Sequence, residues 1–168
     1  ISAKGGSIRF YFKKTGSDIK FDDMTLDSLS HEEGIMPSIS EYFKKTVNYI
    51  AERKKNLNEL LRSDFLSSNS SISAYGTSIG ATVFSYQFEI EDMISCYFDD
   101  DTLRQNRFSP GTGKPVLAGR SSEMNSYDNC IVLAPLYADA IIKNNSPYLQ
   151  QGGSFVKFWP TVEVIAGN

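Results

Sequence analysis

The sequence is poor in the residues that usually carry soluble-enzyme chemistry: one histidine, two cysteines and one tryptophan in 168 residues. A nucleophile–base pair built on imidazole must use His31, which stands between Ser30 and Glu32-Glu33-Gly34 and reads as a surface residue. One histidine and two widely spaced cysteines cannot supply a zinc-ligand pattern. Cys96 and Cys130 are also too few for a disulfide framework. Paired, they would enclose about 35 residues and contribute roughly 4 kcal/mol, but they read as two buried free thiols. Long apolar runs are missing too. Cys130 to Ala138, the longest, is about half of the roughly 20 residues a membrane-spanning helix needs. No charged segment followed by an apolar core opens the chain after Ile1, and no compartment is assigned. With 17 basic against 20 acidic residues the net charge is −3, which does not suggest dedicated nucleic-acid or anionic-membrane binding.

A core, by contrast, is well supplied: 40% of residues are apolar and 12% aromatic, enough for one domain over residues 1–168. Ile8, Phe10 and Phe12 alternate with Arg9 and Tyr11, and with Ile19-Lys20-Phe21 they predict an amino-terminal hairpin turning at Lys13 to Asp18. Asp22 to Pro37 sustains no period and reads as an irregular connection. The clearest element is a helix from Pro37 or Ser38 to Leu66. Ile39, Phe43, Val47, Ile50, Leu57, Leu60, Leu61 and Phe65 recur on it at three- and four-residue steps and are expected to face the core. Phe84, Tyr86, Phe88 and Ile90 alternate with polar residues and predict a strand over Val83 to Glu91. Further on, an edge strand at Pro115 to Ala118, a buried strand at Cys130 to Leu133 and a helix at Pro135 to Lys143 with Leu136, Ala140 and Ile141 inward are expected. Two closing strands flank Pro160.

Charge is uneven in one place. Glu89, Glu91, Asp92, Asp99, Asp100 and Asp101 lie in an acidic run, followed by Arg104, Arg107, Lys114 and Arg120 in a basic loop rich in Gly and Ser. The acids lack the order of a calcium loop and read as a wet face and a turn. The basic loop could dock an anionic group through guanidinium forks, although Gly111-Thr112-Gly113-Lys114 is followed by Pro115 and is no phosphate-binding loop. Simple pairing with the preceding acids is the competing reading. Tyr127, Tyr148 and Trp159 fall outside any strong period, among polar residues, and suit an adaptable interface. The order Arg9, Ser67-Ser68, Glu163 is similar to that of an ADP-ribosyltransferase. The paired late Glu-x-Glu is absent, positions 161 and 165 being Thr and Ile, so no catalytic residue is carried over.

These features predict an α+β fold: a mainly antiparallel sheet packed against one long amphipathic helix, with a second short helix. They point to a non-enzymatic protein-binding or assembly module, a structural component of a virion, secretion apparatus or inhibitor complex, with a protein partner or self-association. The predicted binding set is Arg104, Arg107, Lys114, Arg120, Tyr127, Tyr148 and Trp159, with no catalytic residue, metal or cofactor. Two other readings stand beside it: a small enzyme acting on a phosphorylated or nucleotide substrate, and a carbohydrate-binding module.

Overall fold

The computed structural model of the protein describes residues 12, 14–18, 20, 22–35, 38–66 and 68–167. They fall into two compact units, Ile1–Ile50 and Ala51–Asn168. The strands of the predicted hairpin lie outside the described residues, apart from Phe12 and Lys20, and its turn is present: Ser17 N–H donates to the Lys14 carbonyl at 3.0 Å.

In the first unit, Asp23–Ile35 forms helix α1 where an irregular connection was expected. Asp22 starts it by accepting from the Thr25 amide at 2.7 Å, and the Thr25 hydroxyl, then this amide, hold its carboxyl below the usual range. Met24, Leu26 and Leu29 are all exposed, so the described side chains of α1 form no buried stripe and left no period to read. His31 lies on it, exposed as expected.

Helix α2, Ile39–Glu59, continues as a π-helical segment Leu60–Leu66, close to the predicted span. Its face is not uniform. Leu57 and Leu61 are fully buried, whereas Phe43 and Val47, expected in the core, are 60% and 63% exposed, and Ile39 and Ile50 are exposed as well. The periodicity locates the helix correctly but overstates its buried length.

The second unit is organised by a seven-stranded sheet. Its strands are β1 (Ile72–Tyr75), β2 (Tyr97–Asp99), β3 (Arg107–Phe108), β4 (Pro115–Ala118), β5 (Asn129–Val132), β6 (Ser154–Lys157) and β7 (Glu163–Ala166), in the spatial order β3-β4-β2-β1-β5-β6-β7. The chain thus mixes helix and sheet as predicted, but the sheet is not mainly antiparallel. Its inner five strands are parallel, and only β3 and β7, at the two edges, run antiparallel. Nor does one long helix cover it. Helices α3 (Ile79–Phe88), α4 (Ala138–Asn144) and α5 (Ser146–Gln150) supply crossovers.

Parallel neighbours cannot be joined by a hairpin, so β1 must reach β2 through a crossover. That crossover is α3, in place of the predicted strand at 83–91. Ser78 caps it, accepting from Ala81 N–H at 3.2 Å, and Glu89 ends it in a left-handed conformation, φ 55°. Phe84 and Phe88, which mimic strand alternation, are also one helical turn apart and stack edge-on at 6.2 Å. The expected strands at 115–118 and 130–133 and the pair around Pro160 are present as β4, β5, β6 and β7. The helix near 140 turns in Ala138 and Ile141, while Leu136 and Ala140 point outward.

The sheet separates two cores. On one face Ile72 and Ala74 pack with Leu57, Leu61, Ala81, Phe88, Ile131 and Phe158. On the other, Tyr75, Phe98, Cys130 and Phe155 pack with Ile141 and Tyr148. Both cysteines are free and buried, and burial pushes the Cys130 thiol up to about 12. No helix among the described residues is long and apolar enough to cross a membrane.

Truncating Leu57 or Leu61 to Ala is expected to cost about 2–5 kcal/mol in urea unfolding. Val47→Asp is expected to stay within about 0.5 kcal/mol of wild type, as befits an exposed site. Equal losses would place Val47 in a core.

Candidate active-domain crevice at the carboxyl edge of the sheet

Spatial order along the parallel strands is β4-β2-β1-β5-β6, so the chain leaves β1 toward one side and later returns to β5 on the other. In such doubly wound sheets ligands bind outside the carboxyl ends of the strands, where the winding reverses. The switch here lies between β1 and β5. It is bounded by Gly76-Thr77-Ser78 before α3 and by Leu133 to Tyr137 before α4.

Gly76 makes the first turn with φ +104°, and an added Cβ would sit 3.5 Å from Ala134 Cβ across the switch point. Next to it, Asp99 at the end of β2 is buried and occupied. Its Oδ2 accepts from Thr77 N at 2.8 Å, Thr77 Oγ1 at 2.7 Å and Arg104 Nη1 at 3.2 Å, and its Oδ1 accepts from Asp101 N at 2.9 Å. Burial pushes this carboxyl up, but the Thr77 hydroxyl, the two amides and the guanidinium outweigh it and hold it below the usual carboxylate range. A second network lies beside it. Asp100 Oδ1 accepts from Tyr75 OH at 2.8 Å and Arg120 Nε at 3.1 Å. Gly119 clears the space, since a Cβ there would come within 2.2 Å of the Tyr75 hydroxyl. Burial, then Asp100, keeps the Tyr75 phenol protonated. Around the switch point the edge is apolar: Ile79 is 88% exposed, and Leu136 and Tyr137 are exposed too.

The predicted binding set does not converge. Arg104 and Arg120 pair with the acidic run, Arg104 with Asp99 and Asp101 and Arg120 with Asp100. Lys114 Nζ donates to the Glu91 carbonyl, and Arg107 is exposed on the edge strand β3. Tyr148 is buried against Phe155 at 5.1 Å, half-buried Tyr127 stacks on Phe98 at 5.9 Å, and Trp159 packs against the core. The Cys96 thiol, with burial, pushes the Tyr127 hydroxyl up to about 12. Among the described residues, no three His, Cys, Asp or Glu side chains are grouped to hold a metal ion.

Sequence reading missed the turn after β1. Gly76-Thr77-Ser78-Ile79-Gly80-Ala81 follows a buried strand and opens a helix, with Asp99 near the spacing of a dinucleotide-binding acid. The same residues spell the Gly-x-Ser-x-Gly of a nucleophile elbow. Ser78 is no strained nucleophile, however: its backbone is extended, φ −67° and ψ 166°, and its Oγ caps α3.

Residues 2–160 match the family model of the C-methyltransferase C-terminal domain. The chain belongs to that family. The match overturns the expected non-enzymatic assembly module and the structural-protein role that went with it, and points to a C-methyltransferase-related enzyme. Neither a phosphate-directed enzyme nor a carbohydrate-binding module is what the family description names. No match to the chain was found among curated proteins.

Methyl transfer to carbon calls for a methyl donor, ordinarily the ribose-bearing S-adenosylmethionine. The acid that such a fold offers to ribose hydroxyls is Asp99, and a carboxylate has about four acceptor positions. Three protein donors crowd Oδ2 and a fourth holds Oδ1, so a ribose engaging both oxygens would have to displace protein partners. The residues at this edge of the C-methyltransferase C-terminal domain therefore do not fit that donor.

Because the folded Asp99 titrates below its unfolded value, about 3.9, the stability it contributes is complete above that pH and is lost as pH falls through the folded pKa. Urea midpoints are expected to fall more steeply below about pH 4 in wild type than in Asp99→Asn, and Thr77→Val is expected to cost about 1–3 kcal/mol at neutral pH. Superimposable pH profiles would show that Asp99 titrates as an ordinary surface acid.

Proposed function

We propose that this chain is the acceptor-side domain of a C-methyltransferase and that the methyl donor is held by a part of the enzyme outside it. The observation that carries the reading is the occupation of both Asp99 oxygens by Thr77, Asp101 and Arg104. To serve a nucleoside, the carboxylate would have to exchange those partners for ribose hydroxyls of equal or lesser strength, with no net gain. What the edge does offer is apolar surface at Ile79, Leu136 and Tyr137. Where the acceptor carbon becomes nucleophilic by losing a proton, keeping water away protects the carbanion from reprotonation. An apolar rim at the switch point suits that task.

Calorimetric titration of the full chain with S-adenosylmethionine is expected to show no saturable heat up to about 1 mM. In the whole enzyme, Ile79→Lys with Leu136→Lys is expected to lower methyl transfer at least about tenfold, leaving chain stability within about 0.5 kcal/mol. Tight donor binding that Asp99→Asn abolishes would overturn the reading.

A further inference from the structure

Helix α2 carries one apolar face whose surroundings change along its length. From Ile39 to Leu57 the helix makes about five turns, so these two side chains share one direction. Leu57 is fully buried with Leu61, Ala81 and Phe88. Ile39, Phe43, Val47 and Ile50, on the same face at steps of three and four, are exposed. A helix face made for water carries polar side chains, and the far side of α2 does, with Glu41 and Lys45 paired at 3.0 Å. The exposed stretch keeps the apolar pattern of the buried one, which is the composition of a contact surface. Ser40, Lys44 and Asn48 border it, and among the described residues no ion pair engages Lys44.

Three observations decide what covers this face. A second copy packed antiparallel about the middle of the stripe would bring the two Lys44 side chains to the same flank, where like charges repel. Four partly exposed side chains also fall short of the roughly 800 Å² per partner that a stable free complex buries. A part of the same polypeptide needs less surface, because its tether supplies an effective concentration in the millimolar range. A C-terminal domain, as the family is described, has such a neighbour.

We propose that Ile39, Phe43, Val47 and Ile50 are the docking face for the donor-holding part of the same enzyme, which meets them with an apolar groove and sets a carboxylate opposite Lys44. The inference rests on the acceptor-side reading and adds the surface through which the two parts are joined. Helix α2 then works as a strut, with Leu57 anchored in this chain's core and the stretch from Ile39 to Ile50 anchored in the neighbour's. Methyl transfer needs the reacting atoms about 3–3.5 Å apart. A helix held at both ends fixes orientation, whereas a flexible linker limits only distance.

The test is photocrosslinking in the purified whole enzyme, with p-benzoylphenylalanine in place of Phe43 or Val47 and, as a control on the far face, in place of Lys45. The first two positions are expected to crosslink within one polypeptide to a segment outside residues 1–168, at least about fivefold above the control. Carbodiimide, which joins an amine directly to a carboxylate, is expected to couple Lys44 to the same part of the enzyme. Ultraviolet labelling with S-adenosylmethionine marks the donor-holding part independently. A donor label within residues 1–168 would overturn the acceptor-side reading. With the label outside them, that reading stands and the docking face is overturned if Phe43 and Val47 crosslink to an unlabelled part, to a second copy, or no more than Lys45 does. A Lys44 left uncoupled would overturn the carboxylate assigned opposite it.

Discussion

Everything in the sheet unit depends on β1 being paired in parallel on both sides and buried on both faces. A strand so placed cannot be joined to either neighbour by a short turn, so helices must cross the sheet. Because side chains alternate, Ile72 and Ala74 are committed to one core and Tyr75 to the other. Slipping the strand by one residue would put the Tyr75 hydroxyl among Leu57, Ala81 and Phe88. There it would lose Asp100, and a buried hydroxyl without a partner costs about 1–3 kcal/mol. Register, layer order and the location of the switch point are thus one constraint seen three times.

The same constraint brings the loops after β1 and β2 together and decides what the edge can do. Thr77 gives Asp99 an amide and a hydroxyl at once, and bonds to a charged acceptor are worth about 1.5–3 kcal/mol each. Such a clamp fixes the first loop against the second strand in a way that a glycine at this position could not. Its cost is functional: the carboxylate that the fold places at the nucleoside position has become a structural tie. Family membership and this tie are consistent with a domain that keeps the doubly wound frame while leaving donor binding elsewhere.

The sequence showed best the elements whose pattern has a single interpretation. Cys130 to Leu133 is apolar and short, Asn144-Asn145 stops a helix, and the α2 stripe is long enough to be unmistakable. It misled where two periods coincide. Phe84, Tyr86 and Phe88 satisfy alternation, but Ala81, Ser85 and Phe88 satisfy the helical face that is buried. It was silent where no side is buried, as in α1. The parallel pairing was illegible because strands of three or four residues buried on both faces carry no alternation. At the edge, the informative residues are small and common ones, Gly76, Thr77 and Ser78, whose meaning depends on the strand before them and the acid after β2. A glycine directly after a short apolar tetrad, with a serine two positions later to cap a helix, is the signal that could have revealed this turn.

The basic loop shows how charge can be conspicuous in a sequence and modest in energy. Arg104 and Arg120 meet Asp99, Asp101 and Asp100 at 3.1 to 3.4 Å, yet their side chains are 43% and 56% exposed. Pairs so open to water contribute about 0–1 kcal/mol. Their value is therefore positional: Arg104 adds a third donor to Asp99 Oδ2, and Arg120 is pinned through Nε alone. A guanidinium held by one nitrogen is oriented without being consumed, and its other two nitrogens keep their donors. Pairing with the acids and contact with an anion are thus compatible at Arg120, because different atoms of one side chain serve each.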